Sequence, residues 1–186
     1  MRRPGDESEV NVSTGRGRGP RRTGAGMVLS GHASGHTMEV LPPPFRDVKA
    51  EIMTAQSNVE LVRDAYAAFG AGNLQELLGL MSHDVVWQFP ASKVIPWAGT
   101  FTGPGEVERF FGALTQHSEP EAFEPLHFVA SEDRVVVLGR ERFRVKSTGL
   151  TWACEWAHAF TIRDGRIAGF REYTDTAAME SAFGKG

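Results

Sequence analysis

The chain has 186 residues, a formal net charge of −3 and 41% hydrophobic residues, values typical of a soluble globular protein with one folded domain. The net negative charge argues against a nucleic-acid-binding protein, which usually carries a basic face. The single cysteine, Cys154, excludes an internal disulfide framework and a multi-cysteine metal site. The sequence contains neither an apolar run of the roughly 18–20 residues that cross a bilayer nor a secretory signal, so we expect a cytoplasmic protein that binds no membrane.

Residues 1–55 form a predicted leader that is rich in glycine, arginine and proline. Segments such as the stretch 15–22 lack the apolar surface that would offset the entropy cost of ordering them. We therefore expect the leader to be a disordered, solvated tail and the folded domain to span residues 56–184. Two alternatives stay open. Either the arginines contact an anion or a nucleic acid, or the native protein starts at Met38 or Met53 and the leader is no part of it.

The first part of the domain carries helical signals. Apolar residues recur at helical spacing over residues 58–70, and Ser57 with Glu60 fits a capping box that would start this helix. Leucines at similar spacing predict a second, shorter helix over residues 74–81. The apolar run 85–89 then predicts a strand, which a proline stops.

The remainder of the domain changes from a loop to a helix and then to a sheet. Residues 90–102 are a predicted loop, and Pro104 fits the first residue of a third helix, where proline is favoured. The hydrophobic period then changes from 3.6 to 2, which predicts strands over 121–131, 134–146, 150–163 and 166–175. Tight turns between them imply an antiparallel meander, and Asp175 caps a last short helix that extends to Phe183. Helices followed by such a sheet predict an α+β fold with its helices on one face.

The strand predicted over residues 150–163 has one bulky, aromatic face. Its even positions carry Leu150, Trp152, Cys154, Trp156, His158, Phe160 and Ile162. Alternation of this kind is typical of a half-buried strand, because successive side chains point to opposite faces. Besides the cysteine thiol, His158 is the only titratable group on the buried face. Two interpretations of it stay open: a satisfied core residue or a catalytic group.

Glu141 is the one charge on the apolar face of the strand 134–146, whose other face carries arginines. An inward carboxylate costs several kcal/mol of desolvation unless it is paired, hydrogen-bonded or protonated. One interpretation is a general acid or base with a raised pKa in a dry pocket. The other is a structural partner of an arginine, a histidine or a tryptophan N–H, or a carboxylate at a wet rim. The last strand alternates less cleanly, so its period does not decide where Glu172 points.

Several kinds of active site are absent from the sequence. It contains no glycine-rich phosphate loop, no nucleophile elbow and no histidine pair at zinc-ligand spacing with a third ligand. Cys154 lacks a close basic neighbour on its own face and fits a small core residue. What remains is an apolar cavity with a few inward polar groups, typical of a small-molecule site without a metal or a cofactor.

Six motifs together resemble a known family. They are AYAAF at residues 65–69, DVVW at 84–87, GTFTG at 99–103, WAHAF at 156–160, DGRI at 164–167 and FREYTD at 170–175. In this order they resemble the SnoaL-like branch of the superfamily named for nuclear transport factor two, which includes ketosteroid isomerase and limonene-epoxide hydrolase. The resemblance covers about residues 57–184. It implies a cone-shaped, curved, mostly antiparallel sheet that wraps around N-terminal helices and encloses an apolar pocket.

The resemblance also bears on individual residues. The epoxide-hydrolase branch has acidic residues where Glu141 and Glu172 stand, and both would face the cavity. That branch also has an arginine where Gly139 stands and water-binding polar groups where Trp87 and Phe89 stand. A water placed for attack on an epoxide would have too few partners here, so we do not expect epoxide hydrolysis.

The resulting hypothesis is a small-molecule-binding protein of this family. It would be an isomerase, cyclase or dehydratase that acts on an apolar or aromatic metabolite by cofactor-free acid–base chemistry. The candidate catalytic residues are Glu141, Glu172 and His158, with the Trp156 N–H as an alternative hydrogen-bond donor. The candidate ligand-binding residues are all aromatic: Tyr66, Phe69, Trp87, Phe89, Trp97, Phe101, Phe110, Phe143, Trp156 and Phe170.

A second hypothesis is a non-catalytic ligand-binding protein or a dimeric scaffold, in which the same polar groups are structural. In either case we expect a homodimer. Relatives of this fold commonly pair through the outer face of the sheet, and Ala153, Ala157 and Ala159 on that face would let another surface approach closely.

Overall fold

The computed structural model describes residues 48–184; residues 1–47, most of the predicted leader, lie outside the described residues. Its elements in chain order are α1 (Val48–Gly70), α2 (Leu74–Gly79), β1 (Met81–Phe89), β2 (Gly99–Thr102), α3 (Pro104–His117), β3 (Ser118–Ser131), β4 (Arg134–Val145), β5 (Thr151–Arg163), β6 (Arg166–Thr174) and α4 (Thr176–Ala182). The predicted α+β class is confirmed. None of the helices described combines the length and apolar character needed to cross a lipid bilayer.

The strands form one open, six-stranded sheet in the order β2-β1-β6-β5-β4-β3. All neighbours are antiparallel except β1 and β6, which pair in parallel. The meander from β3 to β6 is therefore confirmed, and the N-terminal strands extend the sheet at its β6 edge. Helix α1 contacts β3 and β4, and α3 contacts β1 and β2. A large aromatic core fills the space between these helices and the sheet.

Helix α1 begins ten residues before the predicted start. It starts at Val48, so Ser57 lies inside the helix and is not its N-cap. The capping-box pattern was misleading because the preceding residues, from alanine to glutamine, are themselves good helix formers. Asn58, the next residue, is buried and donates a 2.8 Å hydrogen bond to the backbone oxygen of Glu132 in the β3–β4 turn. That bond ties the helix to the sheet.

Two further boundaries differ from the prediction. Strand β1 begins at Met81, four residues earlier than expected, and the predicted loop 90–102 ends in the short strand β2, which pairs with β1. A four-residue strand with mostly exposed side chains carries little periodic signal. Pro104 at the start of α3 and Asp175 as the cap of α4 are both confirmed.

The predicted burial pattern of the central strands is confirmed. Odd positions of β4 are buried along its whole length, and even positions of β5 face the same side. Gly139 of β4 lies opposite Trp156 of β5, whose indole lies over it. A Cβ at residue 139 would overlap that ring and lie 2.6 Å from the backbone oxygen of Glu124. Only glycine therefore fits there without movement of the neighbouring strands.

Candidate functional site

The aromatic core encloses a cavity of about 70 Å³ between α1, α3 and the inner face of the sheet. Eight of the predicted ligand-binding residues line it: Tyr66, Phe69, Trp87, Phe89, Trp97, Phe110, Phe143 and Phe170. The walls are thus almost entirely apolar. The volume is well below the roughly 300–1,000 Å³ of sites for drug-sized ligands, so a large ligand would require lining side chains to move.

All three predicted catalytic residues face this cavity. Glu141, His158 and Glu172 line it, and their residues are 8%, 6% and 7% exposed. Glu172 is buried like its neighbour Phe170, which settles the direction that the period of β6 left open. No arginine among residues 48–184 pairs with either carboxylate, because the ion pairs of the β4 arginines lie on the outer face.

Glu141 is held by two donors from the adjacent strand. The Trp152 Nε1–H donates a 2.8 Å hydrogen bond to Glu141 Oε1, and the Cys154 thiol lies 3.6 Å from the same oxygen. Burial, and secondly the charge of Glu172, raise the pKa of Glu141 to about 7, against the smaller opposing effects of the Trp152 hydrogen bond and His158. The tryptophan N–H partner considered from the sequence is thus present, and the carboxyl still titrates close to neutrality.

His158 and Glu172 form a buried cross-strand pair between β5 and β6. His158 Nε2 lies 3.5 Å from Glu172 Oε2, and His158 Nδ1 lies 2.9 Å from the Tyr66 hydroxyl. Burial lowers the pKa of His158 to about 3 and raises the pKa of Glu172 to about 8. The short distance alone would fit an ion pair, but desolvation favours a neutral imidazole beside a neutral acid at pH 7.

Aromatic rings fix the plane of the His158 imidazole. The Trp156 ring stacks on it with centroids 3.9 Å apart and planes 19° from parallel, and the Phe170 edge approaches to 4.9 Å. Trp156 itself does not line the cavity. Its Nε1–H is buried without a hydrogen-bond partner in the described part of the chain. Its contacts make it a support for His158.

Two of the predicted ligand-binding residues thus lie away from the cavity, Trp156 and Phe101. Phe101 lies on β2 and packs against Phe110, with ring centroids 5.5 Å apart. The sequence analysis did not select several other lining residues: Ala65, Leu77, Phe111, Leu114, Phe123, Trp152, Phe160 and Met179. For Trp152 and Phe160 a signal was present, since both share the even face of β5 with His158.

Cys154 and the metal-ligating residue types add no further chemistry. Burial raises the pKa of the Cys154 thiol to about 11, and its sulfur lies 3.1 Å from the Thr174 hydroxyl. Within residues 48–184, no three histidine, cysteine or acidic side chains lie close enough together to hold a metal ion. The reactive groups of the cavity are therefore two carboxyls, one imidazole and one phenol.

Fold and site together define an α+β domain with buried acid–base groups in an aromatic cavity. The chain belongs to the SnoaL-like domain family, whose model matches residues 62–170. It is 31% identical over 130 residues to the uncharacterized protein Rv0034 of Mycobacterium tuberculosis, a match covering 69% of this chain and 98% of that one.

Two solved structures illustrate the fold. An NTF2-like protein from Burkholderia xenovorans is 36% identical, with a TM-score of 0.65, covering 70% of this chain and 98% of that one. TerC, co-crystallized with polyporic acid, an aromatic compound, is 25% identical with a TM-score of 0.62, covering 69% of this chain and 98% of that one.

Proposed function

We propose that this protein binds a small apolar or aromatic carbonyl compound and catalyses cofactor-free proton transfer on it, as an isomerase, cyclase or dehydratase. The observation that carries the proposal is the convergence of two buried carboxyls on one aromatic cavity. Burying such groups is costly, and carboxyls with raised pKa values in dry sites are typical of general acids and bases.

Glu141 is the proposed base. A base for a carbon acid works best when its pKa lies near the working pH, and the pKa of Glu141 is raised to about 7. The hydrogen bond from Trp152 stabilises the carboxylate form and fixes one oxygen, which leaves the second oxygen for the substrate. Glu172 accepts no such hydrogen bond, so Glu141 ionises first.

Glu172 is the proposed acid. Burial keeps it protonated at pH 7, and its neighbour His158 is neutral. A neutral acid in an apolar site can donate a hydrogen bond to the oxygen on which charge develops. Removal of a proton by Glu141 and support of the oxygen by the Glu172 side of the cavity would together convert a ketone to its enol.

The ligand class follows from the lining. Stacked and edge-on rings favour a flat, apolar molecule, and polyporic acid, the compound co-crystallized with TerC, is aromatic. The Trp87 Nε1–H is buried and lacks a partner within the described residues, so a ligand oxygen could satisfy it. The small volume favours a single ring in the cavity as it stands.

A small cyclic ketone tests the proposal. Cyclohex-3-enone carries acidic C–H bonds next to its carbonyl, and its conversion to cyclohex-2-enone is followed by ultraviolet absorbance. Exchange of those hydrogens in D₂O, followed by NMR, reports proton removal alone. We expect saturable exchange by the wild type and at least a hundredfold loss in Glu141→Gln. Glu155→Gln, on the exposed face of β5, is the matched control and should keep wild-type rates.

The non-catalytic alternative makes the opposite prediction in the same experiment. Saturable quenching of tryptophan fluorescence by the ketone, with exchange no faster than in Glu141→Gln, would mean that the cavity binds ligands without acting on them. No quenching up to millimolar ketone would mean that small cyclic ketones are the wrong ligand class.

We also propose that two copies of the chain pair through the outer face of the sheet. Exposed apolar residues lie side by side there across four strands: Val129, Val136, Leu138, Ala157, Ala159 and Tyr173. Small alanines in the middle allow close approach, and the paired charges Arg140 and Glu124 flank the patch. A patch of this kind on both copies would be self-complementary about a two-fold axis.

Light scattering on the full chain tests the pairing. We expect about twice the 20.4 kDa mass of one chain at micromolar concentration, and about one chain mass for Leu138→Glu. Leu150→Glu introduces the same change at an exposed leucine outside the patch and should leave the dimer intact. A monomeric wild type would show that the pairing is wrong.

A further inference from the structure

We propose that Tyr66 is a catalytic residue of this cavity. It would be the outlet of a relay from Glu172 through His158, and it would present its hydroxyl hydrogen to the oxygen of a bound carbonyl compound. This inference rests on the proposed function and deepens it, because it names the group that touches the substrate oxygen. From sequence, Tyr66 was expected only to bind ligand.

The relay is a chain of contacts from three separate elements. Tyr66 of α1 lies 2.9 Å from Nδ1 of His158 on β5, and Nε2 of the same ring lies 3.5 Å from Oε2 of Glu172 on β6. All three residues line the cavity. The imidazole thus has a possible partner on each nitrogen, and its protonation pattern decides the direction of both contacts.

Burial decides that pattern in favour of one tautomer. Both side chains of the His158–Glu172 pair are less than 10% exposed, so an imidazolium and a carboxylate would each lose their hydration. A neutral Glu172 must donate its hydrogen, and Nε2 of His158 is the nitrogen that faces it. Nε2 is then the acceptor, and Nδ1 carries the ring hydrogen and donates it to the Tyr66 oxygen.

The hydroxyl hydrogen of Tyr66 is then free for the substrate. Within the described residues, its only hydrogen bond is the contact with His158, in which its oxygen accepts. The rings of Phe123, Phe128 and Phe160 surround the phenol and offer it no oxygen acceptor. In the opposite tautomer the phenol would donate to Nδ1 and turn only lone pairs toward the cavity, which would repel a carbonyl oxygen.

The proton transfers balance along this relay. Glu141 takes the hydrogen from the carbon next to the carbonyl, the C–H electron pair forms a C=C bond, and the carbonyl π pair moves to oxygen. That oxygen takes the Tyr66 hydrogen, Tyr66 takes the hydrogen on Nδ1 of His158, and Nε2 takes the hydrogen of Glu172. Glu141 ends neutral and Glu172 ends as a carboxylate. Return of the Glu141 hydrogen to a different carbon, with the relay reversed, isomerises the substrate and restores the site.

The tautomer can be measured without any substrate. We would record long-range ¹H–¹⁵N spectra of the full chain with ¹⁵N-labelled histidine at pH 7, and assign His158 by its loss in His158→Gln. We expect the Nδ1–H form, with an unprotonated Nε2. An Nε2–H form or an imidazolium would overturn the relay.

Exchange of cyclohex-3-enone hydrogens in D₂O tests the role of Tyr66. Removing one oxyanion donor costs about 10²–10³ in kcat, so we expect a loss of at least a hundredfold in kcat for Tyr66→Phe with KM changed less than threefold. The chain has only two tyrosines, and Tyr173→Phe, at the exposed one, is the matched control with unchanged rates.

The outcomes separate the two proposals. If Glu141→Gln loses exchange and Tyr66→Phe keeps it, the relay is wrong and the proposed function stands. If the wild type exchanges no faster than Glu141→Gln, the proposed function is wrong and the catalytic role of Tyr66 falls with it. Melting temperatures of both tyrosine variants within a few degrees of wild type would confirm that a lost rate is not a folding defect.

Discussion

Replacing Glu141 by glutamine removes a buried charge but keeps the side-chain shape and an oxygen for the Trp152 hydrogen bond. Burial and the charge of Glu172 raise the pKa of Glu141 from 4.5 to about 7 in the folded protein. The folded state therefore binds this proton more tightly than the unfolded chain does. The resulting stability is fully present below about pH 4.5 and is lost as the pH rises through about 7.

The magnitude follows from the size of the pKa shift. One pKa unit corresponds to about 1.4 kcal/mol, so the shift from 4.5 to about 7 is equivalent to about 3 kcal/mol. Glutamine behaves like the protonated acid at every pH. We therefore expect Glu141→Gln to be more stable than wild type by about 1 kcal/mol at pH 5 and by about 3 kcal/mol at pH 8.

Urea titrations of the full chain at both pH values measure this difference. Glu155→Gln, which removes an exposed carboxylate on β5, should follow the wild-type pH dependence. The reasoning would be refuted if Glu141→Gln were 3–5 kcal/mol less stable than wild type at pH 8. A loss of about that size is what the removal of one partner from a buried ion pair costs, and it would mean that the carboxylate is needed as a charge.

Three further predictions concern stability and reactivity. Gly139→Ala should destabilise by about 1–3 kcal/mol in urea because its methyl group meets an indole ring, whereas Gly112→Ala, in an open helix position, should be neutral or slightly stabilising; equal effects would contradict the close packing. Asn58→Ala should cost about 1–3 kcal/mol through the lost bond to the β3–β4 turn, and Ser57→Ala should change stability by less than about 0.5 kcal/mol. A cost near 1 kcal/mol at Ser57 would mean that it does cap a helix. Cys154 should react with a disulfide reagent at pH 8 at least tenfold more slowly in the folded chain than in urea, because burial raises the pKa of its thiol; equal rates would disprove this.

The faces of the central strands could be predicted because strand geometry ties sequence parity to burial. Glu141 and His158 stand on positions that alternate cleanly with outward residues, so the period of two alone predicted that both point inward. In β6 the alternation is interrupted by polar residues on both faces. The direction of Glu172 therefore came from the family resemblance and not from the period.

Contacts between elements distant in the sequence could not be predicted in the same way. Tyr66 and His158 are 92 positions apart, and their hydrogen bond depends on how α1 packs against the sheet. Parity predicted that Trp156 points inward, but it did not predict that its ring would lie over Gly139, outside the cavity lining. The missing Cβ on the neighbouring strand is a tertiary fact that becomes visible only once the register of β4 and β5 is known.

That register also gives the two carboxyls different tasks. Glu141 lies opposite Cys154, and Glu172 lies opposite His158, so their partners on β5 are four residues apart. Four residues of strand span about 13 Å, and the two acids come from strands on opposite sides of β5. Their backbones are therefore too far apart for the arrangement in which two carboxyls share one proton directly. One acid near each end of an apolar cavity fits a substrate that loses a proton at one atom and gains support at another.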